Sequence, residues 1–128
     1  MKALNILIVD DSAMMRRMVR RVVDLTELAI GEVHEAANGR EALGVLDRCA
    51  IDAVFTDLNM PVMTGTELLR ALQERPSPPP VRIVISTDGS EARRQEAEGL
   101  AVTRYLEKPL RPEVMRDVLC ELADVFRD

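Results

Sequence analysis

Short, almost uninterrupted apolar runs alternate along the chain with segments in which apolar residues recur every three or four positions. Asn5-Ile6-Leu7-Ile8-Val9 is the first run, and its continuity is that of a strand covered on both faces. It breaks at Asp10-Asp11-Ser12, where Ser12 is placed to cap a helix. That helix carries Met14, Met15, Met18, Val19, Val22 and Leu25 at helical spacing, with Arg16, Arg17, Arg20 and Arg21 on the other face, read as a solvated rim in preference to a docking surface, and Gly31 is expected to close it. Residues 32–37 form a weakly alternating second strand, and Asn38-Gly39 turns into a helix with Ala42, Leu43, Val45 and Leu46. A third strand over 52–56 ends on Asp57. Pro61 and Gly65 mark 58–65 as a loop before a helix bearing Leu68, Leu69 and Leu72. Beyond the stiff connector at 76–80, residues 81–85 give a fourth strand, ended by Ser86-Thr87-Asp88. The next helix, over 90–99, is polar on nearly every side and is expected to attach loosely. A fifth strand over 102–106 stops at Glu107-Lys108-Pro109. The last helix opens near Pro112 and buries Val114, Met115, Val118, Leu119, Leu122 and Val125.

Strand and helix thus alternate five times, and right-handed crossovers turn that order into an α/β fold: a doubly wound parallel sheet with helices on both faces. A chain of 128 residues has the length of one domain, so residues 1–128 are expected to be a single domain with no separate output domain.

Composition narrows the function classes. Seventeen basic against twenty-two acidic side chains leave a net charge of −5, which disfavours nucleic acid and anionic membrane as partners. The apolar runs are too short for a membrane span, and Met1-Lys2-Ala3-Leu4 leads into a strand and not a signal peptide, so a cytoplasmic location is expected. Cys49 and Cys120 have no CxxC partner and sit in helical patterns, which points to buried thiols acting as small hydrophobes. The lone His34 is expected to be an exposed strand residue outside any metal cluster. Phe55, Tyr105 and Phe126 are too few to build a stacking platform for single strands or sugars.

Candidate chemistry gathers at the strand ends. In open parallel sheets the functional crevice lies beyond the carboxyl ends of the strands. There the first strand delivers Asp10 and Asp11, the third Asp57, the fourth Ser86 and the fifth Lys108. Clustered carboxylates repel unless a cation joins them, and oxygen-only ligands suit Mg²⁺. A phosphoryl group on one carboxylate would be held between the metal and Lys108, with Ser86 donating a hydrogen bond. Taken singly, each residue also reads as a turn, a cap or a surface lysine; the joint placement carries the weight.

The motifs Asp10-Asp11, Asp57-Leu58-Asn59-Met60-Pro61 with Gly65, Ile85-Ser86 and Lys108-Pro109 resemble the receiver domains of two-component response regulators over the whole chain. The nearest likeness is to the single-domain chemotaxis regulators. The resemblance implies a flavodoxin-like five-stranded sheet in the order 2-1-3-4-5 with five helices. It implies that Asp57 is the phosphoacceptor. Asp11, Asp57 and the Asn59 backbone carbonyl would ligate Mg²⁺ directly, with Mn²⁺ as a possible substitute, and Asp10 would act mainly through water. Lys108 would contact the phosphoryl group, and the Lys108-Pro109 bond would be cis. Ser86 would swing toward a phosphoryl oxygen, and Tyr105 would rotate inward, reshaping the surface of helix four, strand five and helix five. Asn59, Thr87 and Asp88 would tune dephosphorylation, Thr87 by narrowing access because the family usually has Ala or Gly there, and Asp88 by orienting a water. The family's usual Gly two residues after Gly99 is replaced by Ala101, which puts the turn before the fifth strand in question.

Partners implied by the resemblance are a sensor histidine kinase or phosphotransfer protein as donor, docking near helix one and the Asp10 and Asp57 loops. A protein target would read the switched surface, with chemotaxis or motility as the output, and a monomer is expected. Three other readings compete. A phosphorelay intermediate would pass the phosphoryl group to another histidine protein. A Mg²⁺ phosphatase of the haloacid-dehalogenase class would carry its nucleophile on the first strand with a second Asp two residues later, where this chain has Asn59 after Asp57. A pure interaction module would have lost Asp57, the acidic pair or Lys108.

Overall fold

The computed structural model describes residues 3–26 and 28–125. The parallel sheet is built from β1 (Leu4–Val9), β2 (Ile30–Ala36), β3 (Ala53–Thr56), β4 (Val81–Ser86) and β5 (Arg104–Glu107). The helices are α1 (Ala13–Asp24), α2 (Gly39–Arg48), α3 (Gly65–Gln73), α4 (Glu91–Glu98) and α5 (Pro112–Val125). Strand order is β2-β1-β3-β4-β5, all parallel, as the resemblance implied.

Alternation along the central strands separates two apolar layers. Ile6, Ile8, Phe55, Ile83 and Ile85 pack with Val19, Val22 and Val23 of α1 and with Met115, Val118, Leu119 and Leu122 of α5. Leu7, Val9, Val54 and Val84 face the other way, onto Ala42 and Val45 of α2 and Leu68, Leu69 and Leu72 of α3. β1, β3 and β4 are therefore buried on both faces, which is why their sequences read as continuous apolar runs. Caps fix the helix starts: Ser12, Asn38, Thr64 and Ser90 each accept a backbone N–H from their own first turn. Thr64 and Glu67 complete a reciprocal capping box.

Several sequence expectations need correction. Gly31 does not close α1, which ends at Asp24 with Leu25 as its cap; Gly31 lies in β2. The buried stripe of α1 is narrower than its apolar periodicity, and Met14, Met18 and Leu25 are exposed. Neither thiol is buried: Cys49 is half-buried and Cys120 exposed. In α5, Val114 is half-buried and the side chain of Val125, like Phe126, lies outside the described residues. α4 buries only Ala97, as its polarity predicts. The turn before β5 places Ala101 at φ 59°, the left-handed conformation that explains a glycine preference there.

Candidate functional site

Three strand ends meet at the carboxyl edge of the sheet. Asp10 continues β1 and donates its backbone N–H to Ala36 of β2 (3.1 Å), and Asp57 continues β3 and donates to Val9 (3.1 Å). Both carboxylates are buried. Lys108 follows β5, and its backbone N–H bonds the carbonyl of Ser86 at the end of β4 (2.8 Å). The Lys108-Pro109 bond is cis.

Each carboxylate has its oxygens assigned. Asp57 Oδ1 accepts the N–H of Leu58 at 2.6 Å and of Asn59 at 3.3 Å, while Oδ2 accepts Lys108 Nζ at 2.9 Å. Asp10 Oδ1 accepts the N–H of Ser12 at 2.9 Å, and its Oδ2 takes the same Lys108 ammonium at 3.0 Å. Lys108 thus bridges two buried carboxylates. Burial works to lower its pKa, but hydrogen bonds and charge from Asp57 and Asp10 win and hold it above the ordinary lysine value. Asp11 is exposed, with a carboxylate oxygen within 4.8 Å of oxygens of Asp10 and Asp57. This all-oxygen, carboxylate-rich donor set fits a hard divalent cation such as Mg²⁺.

The loop after β3 holds Asp57 from behind. Gly65 N–H bonds the Leu58 carbonyl (2.9 Å), and Thr56 Oγ1 donates to the Asp57 carbonyl (2.8 Å). A Cβ at Gly65 would stand 1.9 Å from that same carbonyl oxygen, so only glycine permits this approach. Arg16, read from sequence as part of a solvated rim, donates through Nη1 to the Asp10 carbonyl (2.6 Å) and through Nε to Glu35 (3.0 Å). Sequence periodicity gave no sign of that role, because Asp10 and Glu35 belong to two different strands.

The remaining candidates divide. Ser86 is fully buried at the end of β4 and its hydroxyl accepts the Asp88 N–H (3.1 Å); among the described residues no hydrogen bond joins it to Asp57. Tyr105 is half-buried and turned toward the β4–α4 loop, its hydroxyl donating to the Asp88 carbonyl. Burial raises its pKa. The guanidinium of Arg94 lies 4.7 Å from the ring centroid and also pairs with Glu107 at 2.6 Å. Thr87 and Asn59 are exposed. Asp88 is engaged elsewhere: its Oδ1 accepts the Ser90 N–H (3.0 Å) and Oδ2 faces Arg93 (3.4 Å). The Ser90 hydrogen bonds, with a smaller part from Arg93, lower its pKa.

Comparison with known proteins matches residues 6–119 to the response regulator receiver domain. The chain is 38% identical over 119 residues to the chemotaxis protein CheY of Pseudomonas aeruginosa, covering 89% of this chain and 91% of that protein. It is 39% identical over 112 residues to a protein-glutamate methylesterase/protein-glutamine glutaminase of Treponema denticola, covering 85% of this chain but only 29% of that longer protein. Among solved structures, the receiver domain of AraT, a response regulator from Geobacillus stearothermophilus, superposes with a TM-score of 0.86 at 34% identity, covering 97% of this chain and 95% of that one.

Proposed function

The chain belongs to the response regulator receiver domain family, and on that premise we propose that Asp57 accepts a phosphoryl group from a phosphohistidine of a sensor kinase or phosphotransfer protein. The observation that carries this reading is the bracing of one buried carboxylate: Leu58 N–H fixes Oδ1, Lys108 Nζ meets Oδ2, and two further carboxylates stand beside it. An oxygen of Asp57 attacks phosphorus, the phosphorus–nitrogen bond breaks, and its electron pair leaves with the donor imidazole. Lys108 begins on Asp57 Oδ2 and needs little movement to meet phosphoryl oxygens as charge spreads onto them. Asp11, Asp57 and the Asn59 carbonyl would hold Mg²⁺ or Mn²⁺ directly, and Asp10 through water. When bound, the ion supplies positive charge against the phosphoryl oxygens.

Ser86 then donates its hydroxyl to a phosphoryl oxygen, giving up the Asp88 N–H that it now accepts. That exchange couples the site to the β4–α4 loop, whose Asp88 carbonyl also receives the Tyr105 hydroxyl. The α4–β5–α5 surface is the part a protein target reads. Hydrolysis returns Asp57 when water attacks the acyl phosphate. Thr87 and Asn59, both exposed, would tune that approach, whereas the Asp88 carboxylate must first leave Ser90 and Arg93 to orient a water.

Receiver domains are signalling regulators, and the relatives named as chemotaxis proteins, matched over nearly their full length, favour chemotaxis as the output. The whole-length activity of the methylesterase lies outside the part this chain resembles. Among the described residues no helix is long and apolar enough to cross a membrane. A phosphohistidine domain carrying labelled phosphate tests the reading. Label should move to the wild-type chain and fail to move to Asp57→Asn; equal labelling of both would overturn it.

A further inference from the structure

A second cluster of ligand-bearing side chains lies where β2 meets the C-terminal end of α2. β2 is one of the two edge strands of the sheet, and its His34 pairs in register with Leu7, whose side chain packs into the α2–α3 layer. His34 and, two residues earlier, Glu32 therefore share the face that α2 covers. Cys49 ends α2 on that face, its backbone N–H bonded to Val45 (2.8 Å). His34 Nε2 lies 2.7 Å from Glu32 Oε1, and one atom each of Glu32, His34 and Cys49 lies within 4.8 Å of the others.

The backbone around these three residues is specially shaped. Between the pairs Leu4–Ile30 and Ile6–Val33, two steps of β1 run against three of β2, a bulge that takes in Gly31 and Glu32. Asn5, at the bulge, reaches both ligand-bearing segments: its Oδ1 accepts the Glu32 N–H (2.9 Å) and its Nδ2 donates to the Ala50 carbonyl (3.1 Å), next to Cys49. A Cβ at Gly31 would stand 2.5 Å from Asn5 Oδ1, so the glycine makes room for this tie. Cys49 also lines an open groove of about 750 Å³ beside the 76–80 connector, which gives solutes a route to the thiol.

We propose that Glu32, His34 and Cys49 form a binding site for a borderline-soft divalent metal ion, Zn²⁺ first, distinct from the carboxylate cluster at the ends of β1 and β3. Carboxylate, imidazole and thiolate are the donor types Zn²⁺ takes, with ligand atoms about 3.5 Å apart around a tetrahedral ion. Rotation of the exposed Glu32 and half-buried Cys49 side chains closes the remaining gap, and a water completes the fourth position. Binding releases the Cys49 thiol proton to solvent, and the Nε2 proton that His34 now shares with Glu32 passes to solvent while Nδ1 carries the remaining ring proton, so the His34–Glu32 hydrogen bond gives way to two bonds to the metal.

Cobalt(II) titration of the reduced full-length chain, with excess Mg²⁺ to occupy the carboxylate cluster, tests this directly. Wild type should bind one equivalent with a thiolate-to-cobalt charge-transfer band that Zn²⁺ abolishes. Cys120→Ser should keep the band and Cys49→Ser lose it, while His34→Asn and Glu32→Gln should each bind at least ~10-fold more weakly. Far-UV circular dichroism checks that each variant is folded, and Zn²⁺ should raise the melting temperature of wild type but not of His34→Asn. Absence of the band in wild type, or its survival in Cys49→Ser, would overturn the site.

Discussion

Gly65 and Asp57 are in backbone contact so close that a methyl group on Gly65 would stand 1.9 Å from the Asp57 carbonyl oxygen. Neither partner can retreat cheaply, because Asp57 is locked to Val9 through its N–H and Gly65 to Leu58 through its own. Gly65→Ala should therefore cost about 3 kcal/mol or more of unfolding free energy, an overpacking penalty at the top of the usual range. Urea denaturation measures it. Phosphoryl acceptance should fall as well, since the displaced backbone is the one that carries Asp57. A variant of wild-type stability would mean that the loop moves aside freely.

Ala101 at φ 59° carries the opposite expectation. The left-handed conformation costs an L-residue about 1–2 kcal/mol, and glycine's extra unfolded-state entropy returns part of that. Ala101→Gly should stabilise the chain by about 0.5–1 kcal/mol in the same denaturation assay. A loss of stability would show that the alanine methyl makes a contact worth more than the strain.

Lys108 links stability to pH. Its pKa in the folded chain is raised above 10.5, so its contribution is fully present below pH 10.5 and is lost as pH rises through the folded value. Lys108→Met leaves two buried carboxylates without their shared cation and should cost roughly 3 kcal/mol at neutral pH. The gap to wild type should close at strongly alkaline pH. Added Mg²⁺ should also narrow it, because a divalent ion would neutralise the same carboxylates. A gap independent of both pH and Mg²⁺ would assign the loss to the lysine's methylene packing.

Tyr105 is the chain's one tyrosine, and there is no tryptophan, so its fluorescence reports a single ring. Arg94 lies over that ring and is tied to Glu107. Such a cation–π contact is worth roughly 0.5–1 kcal/mol near a surface, a two- to five-fold change in rotamer population. Arg94→Ala should accordingly raise quenching of Tyr105 by acrylamide. Unchanged quenching would show that the Arg94 guanidinium does not hold the ring in place.

Much of this architecture is legible in the sequence because strands buried on both faces must be continuously apolar, as β1, β3 and β4 are. The convergence of Asp10 and Asp57 follows from the same logic, since each is the residue at which an apolar strand stops, whereas Lys108 follows the polar edge strand β5 and is placed by the order of elements. Helix α1 is harder to read. Its methionines fit the helical period, but the layer it covers buries only Val19, Val22 and Val23 and takes Met15 in part, so Met14 and Met18 stay outside. Gly31 looked like a helix stop because no glycine or proline stands nearer to Asp24; it serves instead to admit the Asn5 side chain. Arg16 on Asp10, and Cys49 beside His34, depend on which strand lies next to which helix end. Spacing along one chain does not carry that information.

Intact-mass measurement on the purified chain with Mg²⁺ and a small acyl phosphate, followed by peptide mapping, decides whether Asp57 takes the phosphoryl group. The added mass of one phosphoryl group is expected on the peptide containing Asp57, and none on Asp57→Asn. An equal gain on Asp57→Asn, or a wild-type gain mapped to another residue, would contradict it.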